Sequence, residues 1–161
     1  LNGCVIGTRL AIEHMEKLGR GTVVNVASVA GHISAPYLCA YSASKHGVVG
    51  FTRALRQELK LKDCPIKLIL VSPGFVDTQM IQKGTNQGFP EWLSSVLSTP
   101  EDVADEILKG IIKSKEEVFP TWNGKALLKM YRLFPGVTTK TSRVLLVKSL
   151  KDLVLFRKTP P

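Results

Sequence analysis

The chain has 161 residues, 44% of them hydrophobic, and a formal net charge of +9 at pH 7. This length allows one domain with a single sizeable core, and no apolar run approaches the roughly 20 residues that cross a bilayer. The three cysteines follow no pairing pattern and the three histidines no metal-ligand spacing, so we expect reduced thiols and no metal site.

Apolar runs of helical and strand period alternate along the first 121 residues. They predict a helix to about Leu18, a strand Thr22–Ser28, a helix Ala40–Lys60, a strand Ile66–Val71, a helix capped by Thr99 that runs to Lys113, and a short strand Glu117–Thr121. A strand, a helix and another strand in succession form a right-handed crossover of a parallel sheet. We therefore predict an α/β fold with a parallel sheet.

The last part of the chain differs in character. Residues 126–161 carry eight lysines and arginines against one acid, Asp152, which is +7 of the formal +9. Apolar residues interleave with these charges, so the segment is a basic amphipathic tail. Such a tail fits a membrane surface or a partner groove, and equally a solvated extension that packs one face on its own domain or on a dimer mate. No nucleic-acid-binding motif accompanies the charge.

Tyr41 and Lys45 are four residues apart within the predicted helix Ala40–Lys60. Residues at this spacing share one helix face, so the ammonium can lie beside the phenol. A neighbouring cation favours the ionised form of a phenol, which prepares it for proton transfer at neutral pH. The pair is therefore a candidate acid–base site.

Two further candidate segments end the predicted strands. Ser28 ends the strand Thr22–Ser28, and Pro73-Gly74-Phe75-Val76-Asp77-Thr78 follows the strand Ile66–Val71. Parallel sheets bind ligands at the carboxyl ends of their strands. Both segments are therefore expected at one edge of the sheet, beside the helix that carries Tyr41.

These motifs together resemble the short-chain dehydrogenase/reductase family. The matching residues are Asn25-Val26-Ala27-Ser28 with Gly31, then Tyr41-Ser42-Ala43-Ser44-Lys45, then Pro73-Gly74 followed by Thr78. The resemblance covers about residues 1–120. It implies that the α/β fold is the C-terminal part of a Rossmann-like, doubly wound parallel sheet. It also implies hydride transfer between NAD or NADP and an alcohol or carbonyl carbon.

The resemblance also implies residue roles. Tyr41 supplies or removes the hydroxyl proton, and Lys45 supports the phenol and binds the nicotinamide ribose. Ser28 binds the substrate oxygen. Pro73 and Gly74 lie beside the nicotinamide, while the Val76 backbone and the Thr78 side chain bind its carboxamide.

The family's glycine-rich Gly-x-x-x-Gly-x-Gly turn, where the nucleotide pyrophosphate binds, does not occur in these residues. We therefore expect residues 1–125 to be the C-terminal part of a dinucleotide-binding domain whose true N-terminus is missing, with residues 126–161 as its tail. The choice between NAD and NADP depends on residues that are not in this sequence. Substrate choice depends on Gln79–Leu97, whose bulky apolar residues favour an apolar substrate.

Two alternatives to an oxidoreductase are a non-catalytic family member acting as a binding or scaffold protein, and a peripheral membrane protein acting through residues 126–161. The intact Ser28, Tyr41 and Lys45 favour the enzyme.

His32 is expected either as a loop residue or as a substrate contact. The resemblance further implies a homodimer or homotetramer, and we expect a cytoplasmic protein, with or without peripheral membrane contact.

Overall fold

A computed structural model describes residues 1–34, 38–79 and 96–137. The helices and strands are α1 (Asn2–Lys17), β1 (Gly21–Val26), α2 (Cys39–Leu61), β2 (Ile66–Val71), α3 (Pro100–Ile112), β3 (Glu117–Val118) and α4 (Trp122–Leu133), with a 3-10 turn at Val29–Gly31. Most of the predicted substrate segment, residues 80–95, and residues 138–161 of the predicted tail lie outside the described residues.

The strands of the described ranges form one parallel sheet in the order β1-β2-β3. β1 and β2 pair from Gly21 opposite Ile66 to Val26 opposite Val71, and β3 pairs with the other side of β2. Helix α2 connects β1 to β2, and α3 lies between β2 and β3 in the chain. The predicted α/β class with a Rossmann-like parallel sheet is confirmed.

Helices cover both faces of this sheet. One face packs on α1 and α2 through Ile12, Leu59, Ile66 and Leu68. The other packs on α3 through Ile69, Val71 and Val118, with Ile107 and Ile111 at the margin. Because β2 is buried on both faces, nearly all of its residues are apolar, as expected for a central parallel strand.

Two predicted strands are shorter in the structure. β1 ends at Val26 rather than Ser28, because Ser28 caps the following 3-10 turn by accepting a hydrogen bond from Ala30 N. β3 ends at Val118 rather than Thr121. Pro120 has no N–H to donate to a strand ladder, and Thr121 is the N-cap of α4.

A buried polar chain joins α1, β1 and α2 beneath the sheet edge. The Thr8 hydroxyl donates to Asn25 Oδ1 at 2.9 Å, and Asn25 Nδ2 donates to Thr52 Oγ1 at 3.1 Å. All three side chains are buried. Because an unpaired polar group in such a place is costly, this chain of bonds fixes the positions of both helices on β1.

Arg56 of α2 links the helix to the sheet. Its side chain is buried, with Nε donating to Leu68 O at 2.9 Å and Nη2 donating to Glu116 O at 2.5 Å. The guanidinium thus joins β2 to the residue that precedes β3. Charged donors make stronger hydrogen bonds than neutral ones, so Arg56 helps to hold α2 in its orientation.

Ion pairs at the sheet margin reinforce this link. Arg53 makes two hydrogen bonds to the Glu117 carboxylate, at 2.6 and 2.9 Å, and these hold the pKa of Glu117 below its ordinary value. Lys60 bonds the Glu116 carboxylate and lowers its pKa in the same way. The second half of α2 is therefore tied to β3 at several points.

Helix α4 begins at Trp122, a few residues before the predicted start of the basic tail, and continues to Leu133 within it. Leu128 is buried, whereas Lys125, Lys129 and Arg132 are exposed. This part of the tail therefore packs one face on the domain. Among the described residues, no helix has both the length and the apolarity needed to cross a membrane.

We predict that Arg56→Met lowers the free energy of unfolding by about 2 to 4 kcal/mol, because two backbone carbonyls lose a charged donor. Arg9→Met is the control, since Arg9 forms an exposed pair with Glu13 and should lose less than about 1 kcal/mol. Urea unfolding followed by circular dichroism measures both. Equal losses in the two variants would contradict the assigned role of Arg56.

Candidate active site

The carboxyl ends of β1 and β2 meet at one edge of the sheet, and the backbone pairing continues past both strands. Ala27 N donates to Val71 O at 2.8 Å, and Val29 N donates to Pro73 O at 2.8 Å. Ser28 therefore lies beside Pro73, with its hydroxyl 3.4 Å from Pro73 O. The structure thus brings together the two segments that the sequence analysis placed at this edge.

The Ser28 hydroxyl is half-buried and has two backbone partners. It accepts a hydrogen bond from Ala30 N at 3.2 Å and points its donor towards Pro73 O. A donor–acceptor distance of 3.4 Å is long for a hydroxyl, so this second bond is weak. The hydroxyl proton can therefore turn to another acceptor at low cost.

Tyr41 and Lys45 lie in the first two turns of α2. Lys45 Nζ is 5.7 Å from the centroid of the Tyr41 ring and donates to Val26 O at 3.1 Å. Val26 is the last residue of β1, so this bond ties the ammonium to the sheet edge. The ammonium is within reach of a cation–π interaction with the Tyr41 ring, and the acid–base role of the two residues stays a prediction.

Gly31 allows the 3-10 turn to approach α2 closely. A Cβ at position 31 would lie 2.7 Å from the Lys45 carbonyl oxygen, closer than side-chain carbons approach backbone. The 3-10 turn therefore packs directly on the backbone of α2 at Lys45. A larger residue at position 31 would push the 3-10 turn away from α2.

The turn after β2 contains the remaining predicted residues. Val76 forms a parallel bridge with Ser98, and Asp77 N donates to Ser98 O at 2.9 Å. Thr78 is exposed just beyond this bridge. Pro73 and Gly74 thus lie beside Ser28, whereas Val76 and Thr78 lie further along the loop.

The sequence analysis missed two residues that hold this turn. Gly74 N donates to Thr121 Oγ1 at 2.8 Å, and Phe75 N donates to Asn123 Oδ1 at 3.0 Å. Thr121 and Asn123 lie at the start of α4, almost fifty residues away in the chain. No local pattern in the sequence signals a contact of this kind.

His32 follows the 3-10 turn and contacts Ser72, the residue after β2. Its Nε2 is 3.0 Å from Ser72 Oγ, and its ring centroid is 5.5 Å from that of Phe119. Burial, assisted by the nearby Arg53 guanidinium, holds the pKa of His32 below its ordinary value. The ring is therefore neutral at pH 7 and packs within the domain.

The chain is similar to known proteins in sequence and in fold. The family model described as short chain dehydrogenase matches residues 1–88, more than half of the chain. The chain belongs to the short-chain dehydrogenase family. The match includes Ser28, Tyr41, Lys45 and the turn that begins at Pro73.

Curated members of the short-chain dehydrogenase family align over most of this chain. The putative oxidoreductase SadH of Mycobacterium tuberculosis is 34% identical over 139 residues, which are 81% of this chain and 50% of SadH. Estradiol 17-beta-dehydrogenase 11 of Rattus norvegicus is 34% identical over 130 residues, 80% of this chain and 41% of that protein. The chain thus spans half or less of these relatives.

Solved short-chain dehydrogenase structures share the fold. A short chain dehydrogenase from Burkholderia cenocepacia J2315, in complex with NADP, superposes with a TM-score of 0.66 at 20% identity, covering 90% of this chain and 56% of that one. ElxO with NADP bound gives a TM-score of 0.60 at 29% identity, covering 73% and 50%.

We predict that lowering the pH destabilises the domain partly through His32. Its pKa is lowered in the folded state, so the unfolded chain binds the proton more readily. Stability linked to His32 is therefore complete above about pH 6.5, the ordinary histidine value, and decreases as the pH falls below it.

The measurement is the urea midpoint at about pH 7.5 and about pH 5.5. His32→Gln should reduce the difference between the two midpoints, while His14→Gln, an exposed position in α1, should leave it unchanged. A difference that is identical in all three proteins would contradict the linkage to His32.

Proposed function

We propose that the chain supplies the catalytic half of an NAD(P)-dependent oxidoreductase that interconverts an alcohol and a carbonyl compound. The observation that supports this proposal is the position of Lys45, whose Nζ bonds Val26 O at the end of β1 and lies 5.7 Å from the centroid of the Tyr41 ring. Ser28 follows the end of the same strand by two residues. Membership of the short-chain dehydrogenase family supports the same reaction class. Because the chain spans about half of its curated relatives, the activity is proposed for a longer polypeptide that contains it.

The residues present fit the nicotinamide end of the cofactor. Gly74 lacks a side chain where a Cβ would lie 2.2 Å from Asn123 Oδ1, so the backbone of this turn packs closely against the start of α4. Tyr41, Lys45 and the turn from Pro73 through Val76 to Thr78 would hold the nicotinamide and its ribose. NADP is bound in ElxO, a solved relative at 29% identity, and the choice between NAD and NADP stays open for this chain.

When bound, the cofactor supplies or accepts the hydride. The protein's own residues manage the oxygen of the substrate. Ser28 gives up its weak bond to Pro73 O and donates to that oxygen, which holds it in place. Tyr41 exchanges a proton with the same oxygen, acting as general acid or base. Lys45 places a positive charge against the phenol, where it stabilises the negative charge that develops as the proton leaves.

We infer an apolar alcohol or carbonyl compound as substrate. A curated relative is named an estradiol 17-beta-dehydrogenase, and the segment between Gln79 and Leu97 is rich in bulky apolar residues.

A homodimer or homotetramer would cover Ile6 and Leu10, which α1 exposes to solvent in the described chain. These inferences concern the longer protein.

We predict that Tyr41→Phe, made in the full-length protein that contains residues 1–161, lowers kcat by about 10²- to 10⁴-fold. Cofactor affinity should stay near normal, because only the proton path is lost. Tyr131→Phe, a half-buried tyrosine in α4, is the matched control and should keep its activity. A Tyr41→Phe enzyme that retains more than about half of its activity would show that another group transfers the proton.

We also predict that residues 1–161 expressed alone bind NADH and NADPH barely or not at all. The described strand β1 has no partner on the side away from β2, and the sequence contains no glycine-rich turn to hold the pyrophosphate. Isothermal titration calorimetry on the soluble chain is the test. Micromolar binding would mean that these residues build a complete nucleotide site by themselves.

A further inference from the structure

The turn that follows β2 is held from two opposite sides. On one side, Pro73 O accepts hydrogen bonds from Val29 N and, more weakly, from the Ser28 hydroxyl. On the other side lies the N-terminus of α4, whose first residues follow the short strand β3. The second side belongs to residues 121–124, which lie outside the part of the chain that matches the family model.

Thr121 holds the turn through one buried oxygen. Its Oγ1 accepts from Gly74 N at 2.8 Å and from Gly124 N at 3.2 Å, and the residue is 1% exposed. The second bond is an ordinary helix N-cap. The first has no part in capping, since it connects the cap to a residue 47 positions earlier.

The Asn123 side-chain amide bonds both the backbone N–H and the backbone carbonyl of Phe75 in the same turn. Its Oδ1 accepts from Phe75 N at 3.0 Å, and its Nδ2 donates to Phe75 O at 2.9 Å. Nδ2 also donates to Val96 O at 2.8 Å. The side chain is buried, and these three bonds define the orientation of its amide, because a flipped amide would place donor against donor.

Two glycines allow the close approach that these bonds need. A Cβ on Gly74 would lie 2.7 Å from Thr121 Oγ1 and 2.8 Å from the Gly124 Cα. A Cβ on Gly124 would lie 2.8 Å from Val29 Cγ2 and 3.1 Å from the Gly74 Cα. The helix end and the turn are therefore in direct backbone contact, and the side chain of Val29 packs against Gly124.

We propose that Thr121 and Asn123 are positioning residues for the nicotinamide end of the cofactor. They bond the backbone of Gly74 and Phe75, within the turn that the proposed function assigns to nicotinamide binding, and the inference rests on that function. Loss of either side chain frees a backbone N–H of the turn and lets the turn move. Cofactor affinity then decreases. The contact between Tyr41 and Lys45 is not part of the turn, so proton transfer by Tyr41 is not directly affected.

The test uses the full-length protein that contains residues 1–161, with NADH and NADPH titrated by fluorescence. Thr121→Val removes the acceptor at nearly constant shape, and Asn123→Ala removes all three amide bonds. We expect each variant to raise the cofactor Kd by about tenfold or more, because small misplacements of a binding turn are costly. Thr121→Ser keeps the acceptor and should stay within about twofold of the unaltered protein.

A control separates this effect from a general loss of stability. Ile12→Val alters the core cluster of α1 and the start of β2, far from the turn, and should lower the melting temperature without changing Kd. Thr121→Val is the smaller change and decides the outcome where Asn123→Ala fails to fold. If the cofactor Kd rises equally in Thr121→Val and Thr121→Ser, the hydrogen-bond acceptor at position 121 is not what positions the turn.

Two negative results are distinguishable. If the unaltered protein binds NADH or NADPH and Thr121→Val binds it equally well, the positioning role is wrong while the proposed function stands. If the unaltered full-length protein binds neither cofactor, the proposed function is wrong and this inference is overturned with it.

Discussion

The parallel pairing of β1 with β2 determines where every candidate residue lies. The register continues beyond the strands, since Ala27 N reaches Val71 O and Val29 N reaches Pro73 O. A shift by one residue would exchange the two faces of a strand and turn Ser28 away from Pro73. The apolar residues on both faces of β2 oppose such a shift, because it would bury different side chains on each face.

Helix α2 is fixed near both ends, and this keeps Lys45 at the sheet edge. Near its start, Lys45 Nζ bonds Val26 O at the end of β1. Near its end, Arg56 bonds Leu68 O and Glu116 O. Between the two, Thr52 accepts from the buried Asn25 amide. Rotation of the helix would break polar contacts along its whole length. Residues distant from Tyr41 therefore fix the orientation of the helix that carries it.

The sequence predicted those features that depend on local chemistry. The bounds of β2 are as predicted, and Thr99 caps α3 by accepting from Asp102 N at 3.1 Å, because apolar periodicity and capping act within a few residues. The Tyr41–Lys45 pairing follows from helical spacing alone. The contacts of Thr121 and Asn123 were not predicted, since side-chain bonds to backbone across almost fifty residues leave no periodic signal. The catalytic roles themselves stay predictions.

Asn123 and the bridge between Val76 and Ser98 together close the base of the loop that the sequence analysis assigned to substrate choice. Both ends of that loop are bonded to the same side chain, so residues between Gln79 and Val96 can change in number or kind without disturbing the turn at Gly74. Within the proposed function, substrate preference would then change with the loop alone, while the bonds from Thr121 and Asn123 keep the turn at Gly74 and Phe75 in place.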